Sequence, residues 1–421
     1  MLFAMVRLEA RVGAAVPHRI GVVGAGYAGT AAACFLADAG HEVVVFERVP
    51  EPSPVGAGIL LQPTGMAVLE RLALLPSVLA RAARVDRLLC HDHRGRKVLD
   101  LHYDDLAPGL FGAGLHRGAL YEALLAATRA RPVELRCGET VVAIARRQNA
   151  SWIVSEGGEH GPFDLVVVAG GAHPEIAGCL PLRAKPYPWG AAWFVAPSEG
   201  VEIGEGLVQR VRGARQMLGL LPTGLGPGRG ERPLVSLFWS LRCDEVDDWR
   251  RRGLAAWRDE MLRLQPLAEP LVDRIDDIDE VLVARYWDVA MEPWHGRGVV
   301  HLGDSAHAMS PQLGQGANLA IYDAMVLAEV VIDHPRIDDA LVAYSRRRHA
   351  HLSYYQLVTR ALTPFFQSDS RVLPWLRDTF MGLACRVPWV RTTMLASMAG
   401  VEQGVLAPRL AFAAPEVGPA C

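Results

Sequence analysis

The chain has no Cys-x-x-Cys pair, no block of basic residues and no apolar stretch free enough of charge to span a bilayer. Its seven cysteines, at positions 34, 90, 137, 179, 243, 385 and 421, are scattered and odd in number. That excludes a disulfide frame or a zinc site as the organising device and suits reduced thiols in a cytoplasmic setting. Each cysteine reads as a small core hydrophobe. With 43 basic against 46 acidic residues and no aromatic-basic ribbon, nucleic acid is not an expected partner. The apolar run near 317–332 carries Asp323 and Glu329, and the run near 380–401 carries Arg386 and Arg391. Neither matches the roughly 20 uncharged residues of a membrane helix, so no stable membrane insertion is expected. Residues 1–17 are broken by Arg7, Glu9 and Arg11, unlike a signal peptide, and read as a frayed leader.

What is present is ample core material. Hydrophobic residues make up 51% of the 421, enough for two intimately joined domains. Residues 19–23 form a short β-branched run, followed by glycines, a small-residue helix over 30–39, and a second apolar run over 41–47. This order predicts a parallel βαβ opening. Residues 64–75 read as a helix ended before Pro76, and 117–129 as another with Leu120, Leu124 and Leu125 on one face. The fully apolar run 165–169 predicts a buried parallel strand. After Pro181 the runs 191–196, 216–221 and 234–241 are separated by Gly/Pro-rich links and predict a mostly antiparallel sheet. A helix over 254–264, a buried strand over 299–302 and a helical region from 317 to about 400 follow.

Two segments carry chemistry. Gly24-x-Gly26-x-x-Gly29 lies between the first strand and helix. Its glycines permit a tight turn, close approach of backbone to a pyrophosphate, and close packing of helix on strand. Glu47 ends the second strand, where a carboxylate accepts ribose hydroxyls, so FAD or NAD(H) is favoured over a 2′-phosphorylated ligand. The second segment runs from Val299 to Asn318 and puts Gly303-Asp304 at the end of a buried strand. Gly314-Gln315-Gly316 then precedes a helix whose free N–H groups could face negative charge on a bound cofactor.

Taken in order, these motifs resemble the flavoprotein monooxygenases of the aromatic-hydroxylase type, the group of para-hydroxybenzoate and salicylate hydroxylases. Gly24-Ala25-Gly26-Tyr27-Ala28-Gly29 with Glu47-Arg48 is similar to the first FAD segment of that family. The loop around Gly58 resembles the one beside the flavin, and His116-Arg117-x-x-Leu120 its R-x-x-L element. The stretch from Gly303 to Asn318 resembles the second FAD segment, with Asp304, Pro311, Gly314, Gln315, Gly316 and Asn318 in its key places. Tyr344-x-x-Arg347-Arg348 fits a later helix, so the likeness runs from about Arg19 to Gly400. It implies an α/β fold: a Rossmann-like FAD-binding domain in two parts (18–180 and 286–345), an inserted β-rich substrate domain (181–285), C-terminal helices (346–406) and a tail (407–421). Strands of the first part are open to being shared with the substrate domain. The implied activity is insertion of one oxygen atom from O2 into an aromatic or polycyclic small molecule through a flavin hydroperoxide, by a cytoplasmic monomer or homodimer.

Arg117 is implied as a contact to the ribityl chain or pyrophosphate, and Asp304 as a contact to the ribityl chain. His307 is a candidate general base, set against a purely structural histidine. Trp193, Met217, Phe238 and Trp239 are candidates for an apolar substrate pocket on the middle strands. One departure matters: where the family carries Asp-Gly after its buried middle strand, this chain has Gly170-Gly171, with Pro174 and Ala177 in the later Ser and Arg places. The missing carboxylate leaves the electron donor open between NADH, NADPH and another source. It keeps in view an FAD oxidoreductase that has lost direct nicotinamide use, such as a Baeyer–Villiger oxygenase, cyclase or dehydrogenase. A non-catalytic flavin-binding protein is the alternative from another class.

Overall fold

The computed structural model describes residues 16–410 except 54–55, 173–175, 177–179, 181–182, 229 and 405–406. The leader up to position 15, the tail beyond 410, Pro174 and Ala177 therefore lie outside the described residues. Strand β1 (Arg19–Val23) pairs in parallel with β2 (Glu42–Glu47) on one side and β12 (Leu165–Val168) on the other. β8 (Val133–Cys137), β19 (Val299–His301) and the short antiparallel β18 (His295–Gly296) complete a six-stranded sheet of order β18-β19-β12-β1-β2-β8.

Its strands are apolar throughout because both faces are covered. Ile20, Val22, Val43, Val45, Leu165 and Val167 pack against helices α1 (Tyr27–Asp38), α4 (Arg117–Arg129) and α8 (Gly316–Asp333). On the other face Val23, Val44, Phe46, Val166 and Val168 meet Ile144, Ile153 and Phe163. Those three belong to an antiparallel meander of β9 (Val141–Arg147), β10 (Ala150–Ser155) and β11 (Gly158–Phe163). The covering layer matters for function: the Gly24–Gly29 turn, Glu47 and the Gly303–Asp304 turn all leave this sheet at the carboxyl ends of its strands, where open α/β sheets bind ligands.

The second sheet has seven strands in the order β17-β13-β16-β15-β14-β5-β6. It takes β13 (Arg183–Pro197), β14 (Gly206–Arg212), β15 (Gln216–Leu225), β16 (Pro233–Arg242) and β17 (Leu282–Ala290) from the middle of the chain. It also takes β5 (Arg87–Asp92) and β6 (Lys97–His102), a hairpin the sequence patterning left unassigned. The signal was a turn: Asp92 accepts hydrogen bonds from the Arg94 and Arg96 amides, with Gly95 left-handed between them. The β14–β5 pair is parallel and the remaining pairs are antiparallel.

One face of this sheet is closed by α5 (Val246–Leu264) and α6 (Glu269–Val272), with Trp249 and Trp257 fully buried. The opposite, inner face meets the C-terminal helices α9 (Ile337–Phe366), α11 (Gly382–Ala384) and α12 (Pro388–Ala399), with α10 (Val372–Leu376) packed on α9. A small sheet, β3 (Gly58–Leu61), β7 (Gly112–His116) and β4 (Ala83–Val85), lies beside β15.

The single helix expected over 64–75 is two. α2 (Pro63–Arg71) ends before Ala73, which is left-handed, and α3 (Leu75–Leu79) begins with Pro76 in its first turn. Proline starts the second helix there rather than stopping the first, because the N–H it lacks has no partner at a helix N-terminus.

Candidate active site

The site is built where β1, β2, β12 and β19 end together. Gly24 N–H donates to the Phe46 carbonyl, Ala169 N–H to that of Val23, and Leu302 N–H to that of Val168. Gly24 has φ +97°, and a Cβ there would lie 2.7 Å from the Ala169 carbonyl oxygen, so only glycine makes this turn. A Cβ on Gly29 would fall 1.9 Å from the Gly24 oxygen, which is why helix α1 can sit directly on the strand end. A Cβ on Gly26 would meet no protein atom. It would instead fill the space over the helix N-terminus that a pyrophosphate needs. Glu47 closes over this turn: one carboxylate oxygen accepts from Ala25 N–H at 2.8 Å and the other from Val49 N–H at 2.9 Å. Each oxygen keeps a lone pair for a further donor such as a ribose hydroxyl. Arg48 next to it is exposed.

Asp304 starts the short helix α7 (Asp304–His307), is exposed, and has no side-chain partner among the described residues. It is held by the residue before it: Gly303, φ +60°, lies close to Ala320 and Ala28, where a Cβ would crowd both. Ser305 adds hydrogen bonds to the Val168 and Leu302 carbonyls. Arg117 opens α4 directly after β7, and its carbonyl accepts from the Tyr27 hydroxyl at 2.9 Å. Its guanidinium carbon lies 5.8 Å from the centre of the Tyr27 ring. Partial desolvation pulls the Arg117 pKa down, but Tyr27, Asp304 and Tyr286 outweigh it and leave it above its ordinary value. Tyr27 thus packs against Arg117, and Asp304 and Tyr286 act on the same guanidinium.

In several of the segments expected to meet a cofactor, side chains turn inward and hold the site together. The Asn318 side chain is buried: Oδ1 accepts from Gln62 N–H at 2.8 Å, and Nδ2 donates to the Leu60 and Gly314 carbonyls. The Gln315 side chain is also buried and donates to the Ser397 and Met398 carbonyls of α12. Gly58 is a packing glycine, since a Cβ there would lie 2.5 Å from the Ser236 hydroxyl. By contrast Pro311, Gly314 and Gly316 are exposed, and the first amides of α8 open beside them. Backbone rather than side chain is what this loop offers a ligand.

His307 is not free to act as a base. Its Nε2 lies 2.6 Å from Asp323 Oδ2, and both side chains are fully buried. Asp323 is the anchor that sequence reading missed, having registered only as a charge in an apolar run. It accepts from Gly303 N–H at 2.9 Å and from Arg348 Nε at 2.7 Å. Arg348 donates onward to His351, whose Nε2 donates to the Gly400 carbonyl at 2.8 Å. Burial opposes ionisation of Asp323, but His307, Arg348 and the Gly303 amide prevail and hold its pKa at about 2. Burial, aided by Arg348, pushes His351 down to about 3, so it stays neutral and can accept from the arginine. The Gly303–Asp304 turn is thus fixed from behind by a buried charge network reaching the C-terminal helices.

The substrate-pocket candidates divide. Trp193, Phe238 and Met217 lie on the inner face of the seven-stranded sheet. The Trp193 and Phe238 rings are 5.1 Å apart, and a Cβ on Gly219 would strike Phe238. Tyr286 joins them on β17, its hydroxyl accepting from Trp193 Nε1 at 3.2 Å. Trp239 does not belong with them. It faces the other side and is buried with Trp249 and Trp257 of α5. Consecutive strand residues point to opposite faces, so Phe238 and Trp239 could never both line one pocket. β17 carries this inner face down to the first site, with Val289 N–H donating to Ala308 just after α7.

A glycine turn, an acid at the end of the second strand and a Gly-Asp turn at the end of a third, all under an aromatic-faced sheet, define a dinucleotide-dependent oxidoreductase of the aromatic-hydroxylase architecture. The FAD binding domain family matches residues 18–359, and the chain belongs to it. An FAD-dependent monooxygenase of an Arthrinium species is 30% identical over 372 residues, covering 82% of this chain and 84% of that one. Kynurenine 3-monooxygenase of Salinispora arenicola is 31% identical over 358 residues, covering 79% and 77%. In fold, the crystal structure of a 2-methyl-3-hydroxypyridine-5-carboxylic acid oxygenase variant superposes with a TM-score of 0.73 at 22% identity, covering 91% of this chain and 96% of that one. The protein is an FAD-dependent monooxygenase. No described helix is long and apolar enough to cross a membrane, and the described residues hold no metal-binding cluster.

Proposed function

We propose that this monooxygenase inserts one oxygen atom of O2 into an aromatic or polycyclic small molecule held against the inner face of the seven-stranded sheet. The observation that carries the reading is the cluster of Trp193, Phe238 and Tyr286 on that face, with Tyr286 and Asp304 both acting on the Arg117 guanidinium. Kynurenine, for which the Salinispora relative is named, is itself an aromatic amine. The residues present fit FAD. The amides of Gly24–Gly29 and the space over Gly26 suit its pyrophosphate, and Glu47 suits a ribose. Arg117 and Asp304 suit the ribityl chain, and the first amides of α8 the electron-rich edge of the ring. When bound, FAD supplies the activation and transfer of oxygen.

The protein's own part is position and dryness. The aromatic wall offers stacking surface and, with α5 and α6 closing the other face of the sheet behind it, keeps water from the reacting atoms. The Tyr286 hydroxyl accepts from Trp193 and keeps its own proton. Burial raises its pKa, so it remains a neutral donor for an oxygen of the substrate. We place the enzyme in the cytoplasm, as a monomer or homodimer. The test is to load the purified protein with FAD and screen aromatic compounds for compound-dependent O2 consumption and a product heavier by one oxygen atom. A yellow, folded protein that no aromatic compound stimulates would count against the reading.

One observation favours a second reading of electron supply. Gly170 stands where the family carries a carboxylate, and its Cβ position is open, with Val23 O the nearest atom at 4.0 Å. The reading is that direct reduction by NADH or NADPH is lost and reducing equivalents come from elsewhere. Rapid bleaching of the bound flavin on stopped-flow mixing with either nucleotide defeats it.

A further inference from the structure

Most of the exposed large apolar side chains of the described chain stand singly, but six fall on one stretch of the C-terminal region: Val372, Trp375, Phe380, Leu383, Val387 and Trp389. α10, a π-helical turn over Arg377–Met381 and α11 run on as one helical rod. Along it, steps of three, five and three residues carry Val372, Trp375, Phe380 and Leu383 down a single side, and Val387 follows in the turn before α12. The extra residue of the π-turn supplies the step of five. Trp375 is 59% exposed and Phe380 51%, their rings packed edge to face at 6.0 Å. Trp389, 63% exposed, continues the stripe at the start of α12. The opposite side of the rod is fully engaged, with Pro374, Arg377 and Cys385 buried. Six exposed large apolar side chains gathered on one short stretch are more than scattered surface residues account for.

The charges around the stripe indicate what covers it. Arg371 and Arg386 lie near its two ends, exposed and without an ion-pair partner among the described residues. Of the nearby acids, Asp100 is paired with Lys97, Asp105 with Arg391, Asp369 with Arg242 and Asp378 with Arg377, while Asp104 accepts from the Gly109 amide and has no cationic partner among the described residues. A second copy packed on the stripe, in parallel or antiparallel, would bring like-charged arginines together. An anionic surface would instead meet two free cations flanking tryptophan, phenylalanine and leucine, the composition of helices that lie in a membrane interface. We propose that this face seats the enzyme on an anionic lipid bilayer, lying in the headgroup layer without crossing it.

The experiment is sedimentation of the FAD-loaded enzyme with vesicles of phosphatidylglycerol or of phosphatidylcholine. Three proteins are compared: the wild type, a Trp375→Ser/Trp389→Ser variant and an Arg371→Gln/Arg386→Gln variant. All six positions of the stripe and both arginines are exposed, so flavin absorbance and melting temperature serve as fold controls. The wild type is expected to bind phosphatidylglycerol and be released by salt. The tryptophan variant should bind at least tenfold more weakly. The arginine variant should lose about fivefold per arginine on the anionic vesicles and retain its weak binding to phosphatidylcholine. Absence of sedimentation with phosphatidylglycerol overturns the proposal, and so does binding unaffected by both variants. Light scattering that shows a lipid-free dimer dissociated by the tryptophan substitutions overturns it in favour of a second copy.

Discussion

Replacing Asp323 with asparagine tests whether the buried network, rather than the loop itself, holds the Gly303–Asp304 turn. Asparagine preserves shape and can still accept from Gly303 N–H, but it leaves Arg348 buried without a counter-charge. Removing one partner of a buried ion pair costs about 3–5 kcal/mol. Unfolding entropy of about 2 cal/mol/K per residue over 421 residues turns 4 kcal/mol into a melting-temperature loss of about 5 °C. Asp304→Asn is the contrast. Its side chain is exposed and unpartnered among the described residues, so the FAD-free protein should melt within about 1 °C of wild type. Its deficit should appear only with cofactor. A tenfold weaker FAD site forfeits about 1.4 kcal/mol of ligand stabilisation at the same FAD concentration.

The assay is thermal unfolding of each protein without and with saturating FAD, repeated down a pH series. Asp323 has a folded-state pKa of about 2 against an ordinary 3.8, so its contribution is present above about pH 4 and is lost as pH falls toward 2. Asp323→Asn should flatten that acid limb. An Asp323→Asn protein that melts within 1 °C of wild type without FAD would refute the reasoning.

Three further outcomes follow from the geometry. Gly26→Ala should keep the wild-type melting temperature yet bind FAD at least tenfold more weakly, whereas Gly29→Ala should be destabilised before any cofactor is added, because its Cβ meets backbone; titration calorimetry with melting curves separates them. Trp193→Ala should raise the substrate KM with little loss of stability, while Trp239→Ala, on the opposite face, should cost about 3–5 kcal/mol and leave the KM unchanged; steady-state kinetics and urea unfolding decide. His307→Gln should lower stability and leave the pH profile of kcat unshifted, since the imidazole is sealed against Asp323; loss of a pH limb in that variant would restore it as a base.

The motifs that contiguous residues make were legible in the chain by itself. Gly24–Gly29 between a strand and a helix, Glu47 at the next strand end and Gly303-Asp304 after a buried strand each impose a local backbone geometry that few other residues satisfy. That is why the class of cofactor followed from them. Contacts between distant residues were decided only by the tertiary structure. Asp323 reaches Gly303 across 20 positions and Arg348 across 25, while His351 reaches Gly400 across 49. A carboxylate in an apolar run looks the same on paper whether it is an interruption or an anchor. Asn318 and Gln315 likewise turned inward as stitches because their partners, Gln62 and the end of α12, come from remote segments. The β5–β6 hairpin found its place only beside β14, more than a hundred residues later, because a strand edge is satisfied by whatever backbone the fold brings to it.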